Sequence, residues 1–113
     1  MHDIRELTIG YVEAFHTRDL NTVASYMSEE FELTDPEVTR LTPKHAVLHY
    51  IGGIFDAHEA LRFEAKAILI DGDVSVIHFT LTLTDAVLDG VDVIRWASGK
   101  MTSMQAYITL RPQ

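Results

Sequence analysis

Tyr11, Asp35 and Asp92 are polar residues that fall where the local pattern calls for apolar ones. Asp35 lies in FELTDPEV, residues 31–38. Phe31, Leu33 and Asp35 share one parity, and a strand sends alternate side chains to opposite faces. The carboxylate therefore points where the apolar residues point, into the protein. In VDVIRWA, residues 91–97, Asp92 shares a face with Ile94 and Trp96, opposite Val91, Val93 and Arg95. The bulk of Trp96 and the charge of Arg95 favour the Asp92 face as the inner one. Tyr11 sits in the stripe Ile4, Leu7, Tyr11, Phe15, whose spacing is that of one helix face. Tyr50 belongs to a similar stripe further on.

Buried carboxylates are costly unless paired or kept protonated. Two of them in one apolar cavity can divide the labour: one stays ionised and acts as a base, the other is held neutral and donates a hydrogen bond. A phenol beside the neutral acid adds a second donor. A base and two donors are what proton abstraction next to a carbonyl requires, because charge develops on the carbonyl oxygen. Plainer roles are open at each position. Asp35 before Pro36 fits a turn-forming carboxylate. Asp92 fits an ion pair with Arg95 or a lysine. Tyr11 fits ordinary core.

The elements that must position these groups are legible. Residues 3–17 read as a helix, and Asp19 can cap a short second helix through about Met27. A strand follows, Phe31 to Asp35. Thr42-Pro43 reads as a cap with proline in the first turn of a third helix reaching about Phe55, with Val47, Tyr50, Ile51 and Ile54 inward. RFEAKAILI, VSVIHFTLTLT, VDVIRWA and MTSMQAYITL then read as strands, separated by turns at 71–73, 84–90 and 98–100. The expected fold is α+β: three N-terminal helices packed on a curved, mostly antiparallel sheet, as one domain over 1–113. Leu33, Ile51, Phe55, Phe79, Leu81, Trp96 and Met104 are expected to line an apolar cavity into which Tyr11, Asp35 and Asp92 converge, with Tyr50 nearby.

Composition narrows the partners. The net charge is −8 with no basic stripe, which argues against nucleic acid and anionic membrane surfaces. The apolar runs are too short to span a bilayer, and the charged MHDIRELT start lacks the apolar stretch of a signal peptide, so a cytoplasmic location is the default. Apolar residues make up 47%, enough for a core without disulfides, and there is no cysteine. His45 and His49 lie one helical turn apart, but no third metal ligand is evident, and no metal or cofactor is expected. His78 falls on the face opposite Ile77, Phe79, Leu81 and Leu83. That second face, with Val74, Val76 and three threonines, reads as a surface for homodimer formation.

The stretches YVEAFHTRDLNTVASYMSEEFELTDP, TPKHAVLHY and DVIRWASGKMTSM resemble the superfamily of ketosteroid isomerase, nuclear transport factor 2 and the SnoaL-like polyketide cyclases. The resemblance covers about residues 3–110 and implies a cone of three helices closing a strongly curved sheet around a pocket for a small apolar ligand. The layout is most similar to ketosteroid isomerase, which is itself a standard case of an aspartate base beside a tyrosine and a protonated aspartate. By that resemblance Asp35 matches the base, Tyr11 the oxyanion tyrosine, Asp92 the protonated acid, and Tyr50 the tyrosine that supports Tyr11. The loop after Pro36 and the turn at 84–90 look shorter than in the isomerase, which bears on pocket depth. Likeness to the cyclases implies a different enzyme, using Asp92 with His78. The same pocket or sheet could also serve a non-catalytic binding or dimerisation module.

Overall fold

The computed structural model describes residues 2–112. Helix α1, Ile4–His16, starts where Asp3 accepts a hydrogen bond from the Glu6 N–H at 3.2 Å. Helix α2, Leu20–Ser25, is capped by Asp19, which accepts from the Thr22 N–H at 3.1 Å. Asp19 thus caps α2 as its sequence position implies, but the helix stops early and Met27 opens strand β1, Met27–Thr34. The chain turns into a strand there because Met27 pairs with Met101.

Helix α3, Lys44–Ala57, runs unbroken through Gly52 and Gly53. Its expected Thr42 cap does not form. Pro43 itself holds the N-cap position with no side-chain hydrogen bond, the Thr42-Pro43 peptide is cis, and the Thr42 hydroxyl donates to the Glu30 carbonyl at 3.4 Å instead.

Strands β2 (Arg62–Asp71), β3 (Val74–Thr82), β4 (Val87–Ala97) and β5 (Lys100–Leu110) follow. β4 begins at Val87, so the turn before it is tighter than the predicted 84–90. The sheet order is β1-β5-β4-β3-β2, antiparallel except that β1 runs parallel to β5. Bulges between Ala65 and Ala67 and between Arg95 and Trp96 interrupt the ladders. Bulges bend a strand and increase its twist, which helps the sheet to curve. Gly72 and Gly99, at φ 61° and 78°, supply the left-handed turn positions that glycine occupies without steric cost.

Helix α1 packs over β2 and α3 over β1. The core between helices and sheet includes Val23, Phe31, Val47, Ile77, Ile94 and Met101, all fully buried. The two faces of the sheet divide as parity requires. Ile77, Phe79 and Leu81 are buried, His78 is exposed, and Asp92, Ile94 and Trp96 are buried opposite an exposed Arg95. Among the described residues no helix is long and apolar enough to cross a membrane.

Candidate functional site

Asp35 lies one residue beyond the end of β1, where Thr34 pairs with Gln105 of β5. Its two carboxyl oxygens do different things. Oδ1 accepts from the backbone N–H groups of Glu37 and Val38, at 2.8 and 2.9 Å, and closes the turn around Pro36. Oδ2 accepts from the Tyr50 hydroxyl at 2.8 Å. The turn-forming and inward-facing readings therefore hold together, one on each oxygen. The Tyr50 phenol is held above its ordinary range by burial, then by the hydrogen bond and charge of Asp35, so it stays a donor. The partner of Tyr50 is thus Asp35, not the Tyr11 that resemblance implied.

Asp92 is only 4% exposed on β4, and it makes no ion pair with Arg95, which lies on the opposite face. Among the described residues the ion pairs all lie elsewhere. Burial pushes its carboxyl up to about 8, and the charge of Asp35 pushes the same way. A carboxyl with that pKa is mostly protonated at neutral pH and can donate a hydrogen bond.

Tyr11, 2% exposed on α1, donates its hydroxyl to the Met104 Sδ at 3.9 Å, its one hydrogen-bond partner among the described residues. A thioether is a weak acceptor, so the phenol proton is only lightly engaged. Burial, then the nearby Asp92, raise this phenol well above its usual range and keep it protonated.

These groups share a cavity of about 70 Å³. Across the sheet, Asp92 pairs with Ala106, and Asp35 is one step past the Thr34–Gln105 pair. The two acids therefore flank Ala106 on either side, about 10 Å apart between backbones, two strand spacings, with their side chains on the cavity side. Leu33, Tyr50, Ile51, Phe79, Leu81 and Met104 line the cavity as expected. Phe55 and Trp96 do not; both are buried in the core. Phe55 stacks edge-on against Phe15, with ring centroids 4.9 Å apart. The Trp96 indole N–H donates to the buried Ser75 hydroxyl at 2.9 Å. Phe15, Ile54, Phe63, Ala106 and Ile108 complete the lining and were not foreseen there. Ala106 and Ile108 share the parity of Met104, which would have found them. His78 is exposed on the far face of the sheet, and among the described residues no three His, Cys, Asp or Glu side chains gather as a metal would need.

The description "SnoaL-like domain" fits residues 9–104, most of the chain. The protein belongs to the SnoaL-like family. No curated protein sequence matches it. Its solved structural relatives share the fold at low sequence identity. A protein from Kribbella flavida, provisionally named a ketosteroid isomerase, superposes with TM-score 0.86 at 19% identity, covering 97% of this chain and 80% of that one. A provisionally named SnoaL-like polyketide cyclase from Shewanella denitrificans gives 0.81 at 14% identity, covering 94% and 90%. A protein of ketosteroid isomerase-like fold from Catenulispora acidiphila, in complex with trimethylamine, gives 0.79 at 14%, covering 90% and 84%. This SnoaL-like chain is thus similar in fold to proteins named for different reactions, and a shared fold does not choose among them.

Proposed function

We propose that this SnoaL-like domain binds a small carbonyl compound and moves a proton at the carbon beside the carbonyl, without a cofactor. Asp35 is the base. As it takes the proton, charge develops on the carbonyl oxygen, and Tyr11 and protonated Asp92 donate hydrogen bonds to that oxygen. Returning the proton to another carbon completes an isomerisation. Tyr50, bonded to Asp35, positions the base. The observation that carries the reading is Asp92: a buried carboxyl without a counter-charge among the described residues, raised to about 8, in the same cavity as Asp35 and Tyr11.

Size limits the substrate. Sites for drug-sized ligands are about 300–1,000 Å³, and this cavity is about 70 Å³. It suits a head group of a few heavy atoms and not an enclosed steroid. The Catenulispora acidiphila relative is in complex with trimethylamine, a molecule on this small scale. A cyclase-type reaction through Asp92 and His78 has less support, because His78 is exposed on the other face of the sheet. The protein is further proposed to pair as a homodimer through that face, where Leu69 and Tyr107 are 63% and 57% exposed beside Val74 and Val76.

The test is uptake of deuterium from heavy water into acetylacetone at its central carbon, followed by proton NMR. The wild-type protein should accelerate exchange over buffer, and Asp35→Asn should remove the acceleration. Equal acceleration by wild type and Asp35→Asn would show that Asp35 is not the base.

A further inference from the structure

The small cavity does not end blindly. Three of its lining residues, Asp35, Ala106 and Ile108, also line an open groove of about 390 Å³ formed by Thr34, Pro36 and residues 105–109. The groove runs beside β5 at the point where β1 leaves it. The β1–β5 ladder stops at Thr34–Gln105, although β5 continues to Leu110.

The chain itself stops the ladder. In a parallel pair the Ala106 carbonyl would take its hydrogen from residue 36, which is proline and has no N–H. The hydrogen bond from Arg111 N–H to the Val87 carbonyl, 2.9 Å, fixes the alternation on the other side of β5. Odd-numbered residues bond to β4. Ile108 and Leu110 therefore turn their N–H and C=O groups towards the vacated β1 side, and among the described residues no turn or loop hydrogen bond takes them up. An edge of this kind accepts an extended, amide-bearing segment as an added strand.

We propose that the substrate is a short ketoacyl group carried on an extended arm that contains a secondary amide. The acyl head occupies the cavity, and the arm lies along β5 with its amide paired to Ile108. The proposal rests on the carbonyl reading of the cavity and adds the class of molecule that presents the carbonyl. Continuity of the two spaces favours one molecule over a separate peptide on the edge. Register gives the spacing. From Ala106, at the level of the acids, to Ile108 is two residues, ~7 Å of strand rise. A thioester followed by two methylenes and an amide spans that order of distance.

The probe is acetoacetyl-N-acetylcysteamine, compared with the S-butyl thioester of acetoacetate, which has the same head and no amide. Deuterium exchange at the carbon between the carbonyls gives KM and kcat for each. With the net worth of one or two hydrogen bonds, the amide probe should show a KM lower by ~10-fold at similar kcat. Ile108→Pro removes the N–H and should bring the two KM values together. Proline there can disturb the strand, so amide hydrogen exchange in the unaltered protein is the second readout. The Ile108 amide should be protected by the amide probe and not by the butyl probe. Equal KM values with Ile108 unprotected would overturn the arm and leave the Asp35 base intact. Protection of Ile108 with no deuterium uptake from either probe would support the arm and overturn the proton-transfer reading. Neither effect would overturn both.

Discussion

Replacing Asp92 by Asn isolates one buried proton. Asp92 ionises near 3.8 in an unfolded chain and at about 8 in the folded protein, raised by burial and then by the charge of Asp35. Between those values the folded state binds one more proton than the unfolded state. The derivative of unfolding free energy with pH is then negative, about 1.4 kcal/mol per pH unit for one group. Stability from this group is fully present below about pH 4 and is lost as pH climbs towards 8. From pH 5 to pH 7 the loss is about 3 kcal/mol, which for a domain of this size lowers Tm by roughly 10 °C. Asparagine cannot ionise and replaces a side chain that makes no ion pair. Asp92→Asn should therefore be more stable than wild type at pH 7, by roughly 4 kcal/mol, and the two should converge near pH 4. The assay is urea unfolding of both proteins from pH 4 to 8, because the difference between the two curves cancels the titrating groups that do not interact with Asp92. A difference that does not change with pH, or a variant less stable than wild type at pH 7, would refute the buried neutral carboxyl and with it the donor role.

Asp35→Asn removes the second cause of the Asp92 shift. It should lower the Asp92 pKa without returning it to the ordinary value, as read by carbon-13 titration of the aspartate carboxyls. Ser75→Ala leaves the buried Trp96 indole N–H without its partner at 2.9 Å and should cost about 1–3 kcal/mol in denaturant unfolding, with cavity function retained. Gly90→Ala would set a Cβ 2.6 Å from the Phe79 ring and 2.7 Å from the Tyr107 carbonyl. It should destabilise the fold by about 1–3 kcal/mol and, because Phe79 lines the cavity, also weaken binding of acetylacetone measured by NMR. Sedimentation at micromolar concentration should give a dimer; a 12.7 kDa monomer would remove the sheet-face interface.

What the sequence disclosed follows the range of each interaction. Parity and helical spacing are local, and they located Tyr11, Asp35 and Asp92 on inward faces, His78 outward, and most of the cavity wall. What they missed depends on contacts between distant segments. The partner of Tyr50 is fixed by how α3 crosses the end of β1, fifteen residues away along the chain. The size of the cavity is set by aromatic packing among Phe15, Phe63 and Phe79, whose successive ring centroids lie 4.9 Å apart. No sequence period reports the gap that such packing leaves. Phe55 and Trp96 have the right faces and fall outside the cavity because neighbours cover them.

Pro36 makes the opposite case. It is one residue whose effect reaches across the sheet. By lacking an N–H it ends the β1–β5 ladder, and by following Asp35 it fixes the turn whose N–H groups hold one oxygen of that carboxylate. The same residue therefore places the Asp35 carboxylate at the mouth of the cavity and leaves the β5 edge open beside it. Local rules broke at Tyr11, Asp35 and Asp92, and all three side chains line one cavity. Scattered exceptions would each need a separate structural reason. Three exceptions meeting in one apolar space, with no cation among the described residues that line it, are what a functional site predicts.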